Sequence, residues 1–118
     1  MLLRDAVAGG ARLFDDGRFF EAHEAWEQHW RVENDPERRL LLQGLIQIAA
    51  ALHKLLDLGA ADSASRLFSR GLFKLDACPT LTAELGLRAF CEAVRAYAQA
   101  STEEPPARPP VPILGVQG

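Results

Sequence analysis

Hydrophobic residues recur every three or four positions along almost the whole chain, which is the spacing of one face of an α-helix. Alternating runs rich in β-branched residues, which are typical of strands, are absent from the sequence. The pattern predicts an all-α fold: a single-domain bundle of about five helices built from antiparallel helical hairpins. The predicted helices cover approximately Leu3–Asp15, Phe19–Val32, Pro36–Leu58, Ala60–Leu75 and Leu81–Ala100.

Residues that end and begin helices lie between these segments. Gly17 and Gly59 follow the first and third helices, and glycine tolerates the left-handed conformation found after a helix end. Asn34-Asp35-Pro36-Glu37 supplies an N-cap candidate, a proline suited to the first helical position and an acid in the first turn. The third helix is the longest and most apolar, so we expect it at the centre of the bundle.

The composition changes at residue 101. Five of the seven prolines fall in the last 18 residues. We therefore predict a helical domain over residues 1–100 and a Pro-rich tail over residues 101–118. The tail is expected to be extended and mobile unless Val111–Leu114 docks on the domain.

Charge and cysteine content narrow the classes of partner and compartment. Thirteen Lys and Arg against sixteen Asp and Glu give a net charge of −3 without a basic run, which argues against nucleic acid or a membrane as the main partner. Two cysteines are too few for a disulfide framework. No secretory signal is found, and the apolar stretch Leu45–Leu52 is far shorter than the ~20 residues that span a bilayer. A cytoplasmic location is expected.

Polar residues interrupt the aromatic face of the second helix. At ~100° per residue, His23 and Glu27 fall on the same face as Phe19, Phe20, Trp26 and Trp30, an aromatic stripe that is expected to be core. Their spacing of four residues allows the imidazole and the carboxylate to meet.

The third helix has a matching anomaly, because Gln43, Gln47 and Lys54 align on a helix that is otherwise almost wholly apolar. Its short connection to the second helix predicts an antiparallel hairpin that brings the two glutamines level with the acids of the second helix. His53 should lie roughly 10 Å or more beyond His23 along the axis, and would join only if the helices cross steeply or another helix brings it in. The expected polar pocket consists of His23, Glu27, Gln43 and Gln47, with Glu21 and Glu24 at its rim.

Burying such groups is costly unless each finds a partner, so they either satisfy one another or hold a ligand. Carboxylates and imidazole are ligands suited to Zn²⁺, Mn²⁺ or Fe²⁺. The alternative is a structural network in which His23 bonds Glu27 or Gln43 and fixes the helix pairing.

Two sequence blocks resemble the DUF309 family of small helical proteins: GRFFEAHEAWEQHWR, followed by LLQGLIQIAAALHKLLDLGA. The resemblance covers about residues 13–75, and members are described as predicted metal-dependent hydrolases. The residues of this chain that match the family's motifs are Glu21, His23, Glu24, Glu27, Trp30, Arg31, Gln43, Gly44, Gln47 and His53.

A hydrolase of this kind would hold a divalent metal through His23 and Glu27, with His53 as a further ligand, and would use Glu24 as the general base. Glu21, Arg31, Gln43 and Gln47 would then bind substrate or water, although the Glu27–Arg31 spacing favours a plain helical ion pair. The alternative function is a non-enzymatic helical interaction module, open to homodimer formation, whose polar cluster is only structural. An interaction module would bind an unidentified protein, whereas a hydrolase would bind an unidentified small molecule.

Overall fold

The computed structural model describes residues 2–100 and residue 114. Within this part of the chain there are six α-helices and no strand, which confirms the predicted all-α bundle. Consecutive helices pack against one another, most extensively α3 with α4, then α2 with α3 and α1 with α2. The helices are α1 (Leu3–Asp15), α2 (Phe19–Val32), α3 (Pro36–Leu52), α4 (Ala61–Asp76), α5 (Pro79–Glu84) and α6 (Arg88–Ala100).

The start of α3 is capped as the sequence predicts. Asp35 adopts an extended conformation, and its side chain accepts a hydrogen bond of 2.9 Å from the backbone N–H of Arg38. Pro36 occupies the first turn, where its missing N–H costs nothing.

The predicted helix over Leu81–Ala100 is wrong in one respect, because the structure divides it into α5 and α6. Gly86 has φ +69°, and Leu87 N–H bonds the carbonyl of Thr82 at 2.8 Å, so α5 ends in a Schellman motif. The start also differs, since Pro79 is the first residue of α5 rather than part of the loop before it.

A π-helical turn, His53–Asp57, continues α3 to the end of the predicted third helix. Ala60 N–H donates a 2.8 Å hydrogen bond to the carbonyl of Lys54, six residues earlier. The corresponding bond at the end of α5, from Leu87 to Thr82, spans five residues. The wider turn thus adds one residue to the helix end before Gly59 (φ +67°) reverses the chain.

The core is centred on α3, whose leucine and isoleucine side chains are buried on the side that faces α1 and α4. Its crossing with α4 is made by two glycines. A Cβ atom at Gly71 would lie 2.9 Å from the carbonyl oxygen of Gly44, and one at Gly44 would lie 3.1 Å from that of Gly71. Because neither glycine has a side chain, the two backbones approach closely enough for Ile48 and Leu75 to pack beside them.

Among the described residues, the segment Pro36–Asp57 is the one helix that is long and apolar enough to cross a membrane by length and composition. It has 22 residues, and its most apolar window has a mean hydropathy of 1.3. Half of that window is buried inside the bundle, as a central helix requires.

Trp26 ties α2 to α1. Its side chain is fully buried, and its indole Nε1–H donates a 3.1 Å hydrogen bond to the carbonyl oxygen of Val7. The ring of Phe14 lies 6.0 Å from Trp26 and 5.6 Å from Phe90, so α6 joins the same cluster. The indole fits only because Gly10 carries no side chain, since a Cβ there would lie 2.2 Å from Nε1.

One residue of the predicted tail is described. Leu114 is buried against the domain, and its backbone N–H donates a 2.8 Å hydrogen bond to the Asp15 carboxylate. This is the docking that the sequence left open for Val111–Leu114, observed at its last residue. The rest of the tail prediction concerns residues 101–113 and 115–118, which lie outside the described residues.

The Gly10–Trp26 contact predicts opposite effects for two neighbouring substitutions. Gly10→Ala places a methyl group against a rigid buried indole and should lower the free energy of unfolding by about 1–3 kcal/mol. Gly9→Ala is the matched control, because a Cβ at Gly9 meets nothing within 4 Å. It should raise stability by up to about 1 kcal/mol through helix propensity. Urea denaturation followed by circular dichroism measures both; equal effects of the two substitutions would contradict the packing described.

Candidate functional site

A groove runs along the outside of α2 and α3. On α3 it lies opposite the buried leucine face, and on α2 it flanks the stripe that contains Trp26. We call it the α2–α3 groove. Three cavities lie along it: one at the histidines, one at the glutamines, and a third that adjoins the second at Trp30 and Gln43. The first two share no lining residue.

The histidine cavity lies where α2 begins and α3 ends, and has a volume of about 300 Å³. Its walls combine apolar side chains with three basic ones. It is lined by Phe20, His23, Ala50, His53, Lys54 and Leu58.

The glutamine cavity lies further along the groove and has a volume of about 220 Å³. It is lined by Glu27, Trp30, Gln43, Ile46 and Gln47. The structure therefore brings together Glu27, Gln43 and Gln47, as the hairpin count predicts. His23 lines the histidine cavity and not the glutamine cavity, so the single pocket expected from the sequence is divided in two.

Phe20 explains how His23 and His53 come to line one cavity. Its ring centroid lies 6.0 Å from the His23 imidazole, at an interplanar angle of 17°, and 5.3 Å from the His53 imidazole. The two histidines thus flank one phenyl ring. The rise along the helix axis alone places the two histidines apart. The phenyl ring of Phe20 spans the space between them, so both line the same cavity.

His23 is incompletely satisfied. Its Nε2 lies 3.6 Å from a Glu27 carboxylate oxygen, which is ion-pair distance rather than a hydrogen bond. Its Nδ1 is buried with no hydrogen-bond partner in the described part of the chain, and the same holds for Oε1 of Gln47. An unpaired buried polar atom costs about 1–3 kcal/mol. One further such atom among the described residues, the Tyr97 hydroxyl on α6, lies outside both cavities.

The acids near the groove are already paired. Glu27 accepts a 2.8 Å hydrogen bond from Arg31, which confirms the helical ion pair favoured by their spacing. Asp57 lies 2.7 Å from Nδ1 of His53, four residues earlier in the π-helical turn. Glu21 bonds the guanidinium of Arg18 at the start of α2.

Three predicted roles find no support in this geometry. Glu24 is exposed and lines neither cavity, so it is not placed as a general base. Glu21 and Arg31 likewise line neither cavity.

The described residues give no support to the predicted metal site. Among residues 2–100 and 114, no three or more His, Cys, Asp or Glu side chains are grouped so that they could hold a metal ion. The physical reason is that His23, Glu27 and His53 lie in two cavities, and two of them are engaged by Arg31 and Asp57. The residues present do not fit a divalent metal.

Neither cysteine supplies a nucleophile. Cys78 and Cys91 are both buried. Burial, reinforced by the carboxylate of Asp76, raises the pKa of the Cys91 thiol to about 11, so it stays protonated near neutral pH. Burial also raises the pKa of Cys78.

Several lining residues were missed or misassigned from the sequence. The aromatic stripe of α2 reads as core, yet Phe20 is 51% exposed and forms a cavity wall. Lys54 aligns with Gln43 and Gln47 in the sequence, and this alignment was the available signal that it faces the groove. Ala50 and Leu58 gave no signal.

Comparison with protein families places the groove in a known domain. The family described as a domain of unknown function, DUF309, matches residues 7–67, more than half of the chain. The chain belongs to the DUF309 family. The DUF309 match spans α1 to α3 and the first part of α4, so both cavities lie within it. A search of curated proteins and of solved structures found no match to the chain.

The unpaired amide oxygen of Gln47 predicts that this residue lowers stability. Gln47→Met keeps the side-chain shape and removes the buried polar atom, so the free energy of unfolding should rise by about 1 kcal/mol. Gln28→Met, at an exposed position of α2, is the control and should change it by less than about 0.5 kcal/mol. Thermal or urea unfolding measures both variants. A loss of stability in Gln47→Met would mean that Gln47 is part of a satisfied structural network.

Proposed function

We propose that this DUF309 protein is a non-enzymatic binding module whose histidine cavity takes a small molecule with a ring or another flat apolar part. The main support is the composition of the cavity wall, in which the apolar side chains of Phe20, Ala50 and Leu58 adjoin two imidazoles and an ammonium group. Ligand sites are typically concave and mostly apolar, with a few polar groups that fix orientation, and about 300 Å³ is the lower end of their size range.

The rings in the cavity favour a flat ligand. Phe20 is half exposed although it lies between two imidazole rings, and Leu58 beside it is also exposed. A bound ring would cover this apolar surface and gain offset-stacked or edge-to-face contacts with the phenyl group. The unpaired Nδ1 of His23 is available for a polar atom of the same ligand once the side chain turns toward it.

Binding is favoured over the metal-dependent hydrolysis that the family resemblance implies. Hydrolysis of that kind needs a converging ligand set and a base beside it, and neither is present among the described residues. Two polar atoms of the cluster are buried without a partner, and a bound ligand would be able to pair with them.

The proposal is tested by titrating the isotope-labelled protein with phenylacetamide, a neutral ring-bearing probe, and recording ¹H–¹⁵N and imidazole NMR spectra. We expect saturable shifts at His23, His53 and Ala50, with a dissociation constant in the millimolar range usual for such small probes. Ala50→Leu fills part of the cavity and should weaken binding at least fivefold.

Ala93→Leu is the matched control, because Ala93 is an exposed alanine on α6, a helix that lines neither cavity. It should bind phenylacetamide as the unaltered protein does. Shifts that do not saturate, or that are unaffected by Ala50→Leu, would refute binding in the histidine cavity.

A further inference from the structure

We propose that the ligand of the histidine cavity is a small organic acid, whose carboxylate is recognised by Lys54 together with His53 and His23. This inference rests on the proposed function and names the ligand class. Its basis is that every ionisable side chain lining the cavity is basic, while no acid lines it.

Lys54 carries the charge argument. Its side chain is half buried in the cavity wall, and it forms no ion pair with any residue of the described chain. A positive charge next to apolar walls attracts an anion more strongly than one surrounded by water, because screening is weaker there. A carboxylate in the cavity would therefore find an ammonium group without a competing partner.

The acids closest to the site do not supply that partner. Glu27 lines the other cavity and accepts a hydrogen bond from Arg31. Asp57 accepts a hydrogen bond from Nδ1 of His53, which fixes the orientation of that imidazole, so Nε2 can donate to a ligand carboxylate only when the ring is protonated. The paired acids thus leave the ammonium of Lys54 as the uncompensated charge of the cavity.

The π-helical turn is a second, independent feature of this wall. It contains both His53 and Lys54 and ends at Asp57. Such turns are rare within helices and are frequent at functional sites. Here the turn presents two adjacent basic residues, His53 and Lys54, to one cavity. Leu55, the next residue, remains buried in the core.

The experiment compares phenylacetate with phenylacetamide, two probes of nearly equal shape that differ in charge, by NMR titration at pH 7. We expect phenylacetate to bind about tenfold more tightly to the unaltered protein. Lys54→Met should abolish that preference while changing the affinity for phenylacetamide by less than twofold. Lys54→Arg should retain most of it, because the positive charge is kept.

Lys74→Met is the matched control, since Lys74 is the other lysine of the chain and lies on α4, outside both cavities. It should leave both affinities unchanged. Raising the NaCl concentration should weaken the binding of phenylacetate and not that of phenylacetamide.

The outcomes separate the two proposals. Equal affinity for the two probes, with saturable shifts at His53, would overturn the organic-acid inference and leave the proposed function standing. Failure of both probes to bind would overturn the proposed function and this inference with it. A preference for phenylacetate that survives Lys54→Met would also overturn the inference, because the charge would come from elsewhere; circular dichroism confirms that each variant is folded.

Discussion

The close crossing of α3 with α4 is the constraint on which the rest of the molecule depends. Gly44 and Gly71 let the two backbones touch, so α3 buries one side against α4 and α1. Since α2 packs along another side, only one strip of α3 remains uncovered. Gln43 and Gln47 lie on that strip, because the buried faces of the helix would leave them without partners. The groove is thus a direct result of how the central helix is packed.

The chemistry of the groove separates ion pairing from ligand binding. Acids and bases at i, i+4 spacing contact each other on the helices, as Glu27 does with Arg31 and Asp57 with Nδ1 of His53. Such pairs on a partly exposed surface add little stability. The groove keeps the ammonium of Lys54 and the unpaired buried atoms of His23 and Gln47, which no pair of this kind neutralises. These groups, and not the acids of the family motif, are available to a ligand.

Much of the helical pattern could be predicted from periodicity, because each helix buries one stripe. The break at Gly86 could not, since a glycine within an apolar periodic run is compatible with a continuous helix. In the site, the pairing of Glu27 with Gln43 and Gln47 across one cavity could be predicted by residue counting. The metal site found no support among the described residues, since the spacing of His23 and Glu27 is equally suited to an ion pair. Phe20 was misassigned because an aromatic stripe does not reveal which ring lies at its solvent edge.

The π-helical turn has a consequence for how such a domain can diversify. Residues 36–52 make the contacts with α2 and most of those with α4, including the crossing of Gly44 with Gly71, whereas His53 and Lys54 face the histidine cavity from within the turn. A gain or loss of one residue inside that turn would rotate the downstream residues by about 100° and leave the upstream packing in register. Relatives can therefore present other side chains to this cavity by changing the length of the turn, while the packing of α3 stays the same.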